Sequence, residues 1–141
     1  DDGSIIAAKV LRQSDAGSLL RFMREQGMRI HHPNVVTPMS WAGVDDRVLI
    51  AMPLVEGGSV SGLGSRYGKL PAPYAAELLR QLLDALTAVH EQGVVHRDIK
   101  PANIIVTRDP DTNEIDRVVM LDFGIAKLAD GTDLTATNSL V

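Results

Sequence analysis

Between Ala75 and Val89 the apolar positions fall on one side of a helix. Ala75, Leu78, Leu79, Leu82, Leu83, Leu86 and Val89 follow the spacing i, i+3, i+4, i+7, i+8, i+11 and i+14. This predicts a helix that starts after Pro71 and Pro73 with one apolar face. Gly93 stands where a glycine cap is expected to close it. Elsewhere the apolar runs are shorter. Residues 5–11 predict a buried strand, entered from the turn Asp1-Asp2-Gly3-Ser4. Residues 15–28 predict an amphipathic helix capped by Ser14 or Asp15, with Leu19, Phe22, Met23 and Gln26 at helical spacing. Gly17 and Gly27 weaken it, each by up to about 1 kcal/mol relative to Ala.

His32-Pro33-Asn34 ends that helix, and residues 35–41 and 48–52 then predict two strands around a turn at Asp45-Asp46. Glu56-Gly57-Gly58-Ser59 predicts a flexible crossing. After the long helix, residues 104–107 and 118–121 are apolar and flank a polar, turn-rich stretch, which predicts a hairpin. Strands with one helix, then a helix with short strands, imply an α+β arrangement of two small layers meeting at a cleft.

Composition narrows the function classes. A chain of 141 residues can bury a real core as one domain. The 14 Lys and Arg against 18 Asp and Glu are scattered, with no basic stripe for a nucleic acid backbone. The absence of cysteine excludes a disulfide framework and a thiolate metal site, and suits a reducing compartment. No apolar stretch approaches the roughly 18 residues a membrane span needs, and the start does not read as a signal peptide. The expectation is a soluble cytoplasmic segment without membrane contact of its own. His31, His32, His90 and His96 lack metal-site spacing, and His96 is expected to be a hydrogen-bonding core residue.

Two stretches carry chemistry: His96-Arg97-Asp98-Ile99-Lys100-Pro101-Ala102-Asn103, and further on Asp122-Phe123-Gly124. Together and in this order they match a signature of phosphoryl transfer. Moving a γ-phosphoryl group needs an acceptor oxygen in line, a magnesium ion between phosphate oxygens, and cations facing the developing charge. One carboxylate, one lysine and an Asn/Asp pair of oxygen ligands supply those parts, because magnesium takes a few hard oxygens and keeps its waters.

On these residues the chain resembles the eukaryotic-type serine/threonine protein kinases, in a form similar to those of bacteria, over essentially its whole length. The resemblance implies a partial two-lobe kinase fold. Residues 1–55 would be most of the small antiparallel-sheet lobe with its helix, and residues 56–141 the first part of the helical lobe through the activation loop. It implies that Asp98 is the catalytic base, that Lys100 neutralises the transferring phosphate, and that Asn103 and Asp122 hold magnesium (or manganese). The wording Lys100-Pro101-Ala102-Asn103 resembles the serine/threonine branch.

The same resemblance makes Lys9, in Ile6-Ala7-Ala8-Lys9, the lysine that grips the α- and β-phosphates of ATP. Ala7 and Ile105 would then sandwich the adenine. Met52 would be the gatekeeper and Pro53 the first hinge residue, contributing only its carbonyl. Val55 would offer its amide and Glu56 would meet the ribose. Glu25 is the expected ion-pair partner of Lys9, although only six residues separate it from His32, fewer than the family's usual spacing. A shortened connection with Glu25 retained accounts for that. Phe123 and Gly124 would belong to the regulatory turn. Thr135 and Thr137 are expected autophosphorylation sites whose phosphates pair with Arg97.

No glycine-rich phosphate loop precedes Lys9 and no Ala-Pro-Glu follows the loop. By the resemblance both ends cut through the fold, and helices that would cover the Leu78–Leu86 face are missing. The chain by itself is therefore expected to be an inefficient kinase and prone to aggregate. The expected partners are proteins bearing Ser or Thr, itself included. The alternatives are a noncatalytic kinase-like scaffold, against which intact Lys9, Asp98, Asn103 and Asp122 argue, and a small-molecule phosphotransferase. Attached domains, including a membrane anchor, are common among bacterial relatives.

Overall fold

The structure, a computed structural model, describes residues 5–12, 30–44 and 47–121. The helix expected over residues 15–28, with Glu25, lies outside them, as do Asp122, Phe123, Gly124, Thr135 and Thr137. The described chain forms two three-stranded antiparallel sheets. Strands β1 (Ile6–Arg12), β2 (Ser40–Val44) and β3 (Arg47–Pro53) pair in the order β1-β3-β2. Strands β4 (Gly58–Ser59), β5 (Ile104–Arg108) and β6 (Ile115–Met120) pair in the order β4-β5-β6. Helices α1 (Val60–Tyr67) and α2 (Ala72–Glu91) lie between β4 and β5 in sequence. One apolar cluster joins both sheets and both helices, through Val48 and Ile50 of β3, Leu63 of α1, Leu82 and Val89 of α2, and Val106 and Val118 of the second sheet.

The long helix and the hairpin form where the sequence predicts them. Helix α2 opens with prolines in its first turn, where a missing N–H costs nothing. It closes as expected at Gly93, whose φ of 70° is left-handed. Gly93 N–H donates to the His90 carbonyl at 2.9 Å and Val94 N–H to the Val89 carbonyl at 3.3 Å, the paired bonds of a Schellman cap. Val94 and Val89, the apolar pair such a cap brings together, are both buried. At the tip of the β5–β6 hairpin, Asp109 Oδ1 accepts from the amides of Asp111 (2.9 Å) and Thr112 (2.8 Å). Those bonds, Thr112 first, hold its carboxyl below the usual carboxylate range.

Three expectations are corrected. The strand expected over residues 35–41 begins only at Ser40. Residues 34–36 are engaged by the second sheet instead: Val35 bridges Met120, and Val36 N–H donates to the Met120 carbonyl at 3.0 Å. Strand β1 is not buried, since Ile6 and Val10 are 47% and 53% exposed. Among the described residues it is an edge strand, with Ala7 and Lys9, on its other face, half-buried. As expected, part of the Leu78–Leu86 face is uncovered: the buried stripe of α2 is Leu78, Gln81, Leu82, Ala85 and Val89, while Leu79 and Leu83 are exposed. The helix meets β6 along a narrower line than its apolar residues cover. Finally, residues 56–59 are more than a crossing. Gly58 and Ser59 pair with Val106 and Ile105, and the Ser59 hydroxyl accepts the Gly62 amide at 3.0 Å to cap α1.

Candidate active site

The segment between α2 and β5 carries most of the motif. His96 is 1% exposed, and its ring links two backbone positions. Its Nδ1 accepts the Asp98 amide at 3.2 Å, so Nε2 carries the proton and donates to the Leu121 carbonyl at 2.8 Å. The expected core role of His96 is therefore what the structure has. Arg97, exposed, turns the chain with a left-handed φ of 64°, unusual for a residue with a side chain. Backbone strain of this kind concentrates at functional sites.

Past this turn, three of the expected site residues meet. Lys100 Nζ lies 3.1 Å from Asp98 Oδ2. Asn103 Nδ2 donates to both the Asp98 carbonyl and Asp98 Oδ2, each at 3.0 Å. A short 3-10 turn, Pro101–Asn103, brings this about by returning the Asn103 amide to the Lys100 carbonyl at 2.9 Å. Asn103 is 9% exposed and its backbone carbonyl accepts the Leu121 amide at 2.8 Å. The loop is thus fastened to Leu121 at both ends, through His96 and Asn103. Asp122 follows directly, outside the described residues.

Lysine and asparagine together keep Asp98 an acceptor, with its side chain 26% exposed and open to a substrate hydroxyl. Because both bonds to Asp98 use Nδ2, the carbonyl end of the Asn103 amide is the end left for a cation. A hard amide oxygen beside a carboxylate fits magnesium.

Of the residues expected on the nucleotide side, Ala7, Lys9, Met52 and Pro53 lie on the first sheet. Antiparallel pairing sets Ala7 opposite Met52, Lys9 opposite Ile50 and Ile6 opposite Pro53. Ala7 and Lys9 share one face of β1, and Met52 packs against the core. Val55 is half-buried and Glu56 exposed. Ile105, on β5, is half-buried and in register with Ser59 and Val119.

Three residues escaped the sequence reading. At Gly57 a Cβ would stand 2.6 Å from the Val106 carbonyl oxygen and 2.9 Å from Ile105 Cγ2, so glycine lets the segment after Glu56 lie on β5. The doublet Gly57-Gly58 was a usable signal for such an approach. Asn34 and Gln81 are buried, and their side chains bond each other, Asn34 Nδ2 to Gln81 Oε1, at 2.8 Å. A lone polar residue on the apolar stripe of α2 was the signal for Gln81. Nothing in the sequence separates Asn34 from an ordinary turn asparagine.

Comparisons with known proteins identify the family of the chain. A model of the protein kinase domain family matches residues 1–140. The chain is 38% identical to serine/threonine-protein kinase PkaA of Streptomyces coelicolor over 99% of its own length and 26% of that protein's. It is 40% identical to serine/threonine-protein kinase pkn3 of Myxococcus xanthus over 92% of its length and 24% of that protein's. A crystal structure of Rad53 in complex with AMP-PNP superposes with a TM-score of 0.77 at 25% identity, covering 87% of this chain and 32% of that one. The chain therefore spans about a quarter of the length of these curated relatives.

Proposed function

Since the chain belongs to the protein kinase domain family, we propose that it transfers the γ-phosphoryl group of MgATP to serine and threonine hydroxyls of proteins. The observation that carries this reading is the Asp98 carboxylate, held at 3.0 Å by Asn103 and at 3.1 Å by Lys100. In this reading Asp98 accepts the proton of the substrate hydroxyl as its oxygen attacks. Lys100, already beside Asp98, faces the charge that builds on the transferring group. Lys9 holds the phosphates, paired with Glu25, while Ala7, Met52, Pro53, Val55, Glu56 and Ile105 hold the nucleoside. Asn103 and Asp122 would hold magnesium, which would supply positive charge to offset that of the phosphates. The chain's own part is to keep those two ligands at a fixed spacing.

Phe123 and Gly124 set the state of the Asp122 turn. Thr135 and Thr137 are the protein's own targets, and their phosphates pair with Arg97, bringing close to two negative charges to a guanidinium. Phosphopeptide mapping that found both threonines unmodified in an active preparation would remove this regulatory part. The reading places the segment in the cytoplasm, where MgATP is abundant. Among the described residues no helix is long and apolar enough to cross a membrane.

The test uses the full-length protein with labelled γ-phosphate. Parent protein should label protein threonine and serine, and Asp98→Asn should lower kcat by roughly 10²–10⁴-fold, the range for losing a general base. A folded parent that binds MgATP but labels neither itself nor any protein substrate would refute the reading.

A further inference from the structure

We propose that Gln81 is a positioning residue for the magnesium site, acting through strand β6 and resting on the assignment of Asn103 and Asp122 as the ligands. Strand β6 pairs with β5 on one side only, so its other edge needs partners for buried N–H and C=O groups. At Val118 both partners are side chains. Gln81 Oε1 accepts the Val118 amide at 2.8 Å, and Asn34 Nδ2 donates to the Val118 carbonyl at 2.7 Å. Two residues on, the partners are backbone. Met120 N–H donates to the Asn34 carbonyl at 2.8 Å, and the Met120 carbonyl accepts the Val36 amide at 3.0 Å.

Gln81 Oε1 also accepts from Asn34 Nδ2 at 2.8 Å, so one amide oxygen aligns the edge of β6 and the loop that covers it. The next residue, Leu121, is the one that the loop grips through Asn103 and His96. The end of β6 is thereby held at Val118 by α2 and at Leu121 by the loop. The position of Leu121 against Asn103 depends on both holds.

The orientation of the Gln81 amide is itself fixed. Its Nε2 donates to Glu77 Oε1 at 2.8 Å, which turns Oε1 toward Asn34 and Val118. Glu77 is in turn held by Arg80, through Nε and a terminal nitrogen, both at 2.8 Å. A side chain that served only to fill space would need none of these bonds.

The test compares full-length parent, Gln81→Leu, Gln81→Glu, and the double exchange Gln81→Glu with Glu77→Gln. Two readouts are taken: hydrogen exchange at the Val118 amide in nucleotide-free protein, and the magnesium concentration that gives half-maximal rate. Gln81→Leu should speed exchange at Val118 and lower magnesium affinity or kcat by roughly 10–100-fold, as expected on removing a ligand's supporting hydrogen bond. KM for the protein substrate should not move. Gln81→Glu alone should behave similarly, because two carboxylates then face each other. The double exchange, which keeps an acceptor toward Val118 and a donor–acceptor pair with position 77, should restore both readouts.

A Gln81→Leu protein with parental magnesium dependence overturns the proposal, as does a folded double exchange that restores Val118 protection without restoring magnesium dependence. Should Gln81→Leu fail to fold, the double exchange decides alone by the same criteria. A parent without phosphoryl transfer refutes the kinase reading separately, while exchange at Val118 still tests the Gln81 contact.

Discussion

Gly57 and Gly58 are adjacent, yet alanine should be damaging at one and harmless at the other. Neither has a left-handed φ, so sterics alone separates them. At Gly57 the new methyl would meet the Val106 carbonyl oxygen at 2.6 Å and Ile105 Cγ2 at 2.9 Å. The Ile105 methyl can rotate away, but the carbonyl cannot: β5 is the middle strand of its sheet, paired on both sides. The segment after Glu56 must therefore lift off β5. Overpacking of this kind costs about 1–3 kcal/mol.

At about 2–4 °C per kcal/mol for a domain of some 150–250 residues, Gly57→Ala should lower Tm by about 2–12 °C. At Gly58 a Cβ meets nothing within 4 Å. Gly58→Ala should leave Tm unchanged or raise it, because alanine restricts the unfolded chain by about 0.4–1 kcal/mol. The assay is thermal melting of the full-length protein with and without MgATP, together with KM for ATP. Because Gly57 follows the residues assigned to the hinge and abuts Ile105, Gly57→Ala should raise that KM and spare kcat. Equal melting temperatures for the two variants would refute the steric reasoning. A lowered Tm with unaltered KM would refute its link to the nucleotide.

Gly93→Ala should destabilise the protein by about 1–2 kcal/mol, the cost of a left-handed conformation for a residue with Cβ, read as a lower urea midpoint at unchanged m. His96→Phe keeps the ring volume but orphans the Asp98 amide and the Leu121 carbonyl. The loss should be about 1–3 kcal/mol for each group left buried and unpaired, with kcat falling more than KM rises. The Glu77 carboxyl is held down to about 2 from its ordinary 4.5, first by the Arg80 side-chain hydrogen bond and then by Gln81. Its folded-state pKa being the lower, its contribution is present above pH 4.5 and is lost as pH falls toward 2. Glu77→Gln should therefore flatten the acid limb of a stability–pH curve in that window, and an unchanged limb would contradict the assignment.

What could be read from the sequence was what depends on period and on short motifs. The span of α2, its glycine cap and the β5–β6 hairpin follow from local patterns; the helix and cap formed where expected, while β6 begins at Ile115, three residues before the apolar run that marked it. The meeting of Asp98, Lys100 and Asn103 follows from their closeness in sequence across one short turn. What could not be read depends on long-range backbone pairing. Val35 and Val36 look like strand residues, and only the edge of β6 claims them. Helix α1 has glycine at two of its eight positions and one buried residue, Leu63, so neither propensity nor period marks it. The exposed Leu79 and Leu83 show the converse, an apolar face wider than the described contact. The helix expected over residues 15–28, with Glu25, lies outside the described residues.

The buried polar residues among the described ones are Asn34, Gln81, His96 and Asn103, and all four bond to the backbone of Val118 or Leu121. A core has no energetic need of them. Each polar group placed inside must find a partner or cost about 1–3 kcal/mol, whereas apolar residues of the same size would carry no such risk. What polar groups add is selectivity among alignments. A strand held only by packing can slide by a fraction of a residue at little cost, whereas here side chains claim the Val118 amide, the Val118 carbonyl and the Leu121 carbonyl, and Asn103 takes the Leu121 amide through its backbone. The four come from three separate places in the chain: the loop before β2, the middle of α2, and the segment between α2 and β5. They converge on Val118, inside β6, and on Leu121, the residue just after Met120. The end of that strand lies beside Asn103, whose carbonyl accepts the Leu121 amide, so the alignment serves the segment in which Asp98, Lys100 and Asn103 meet.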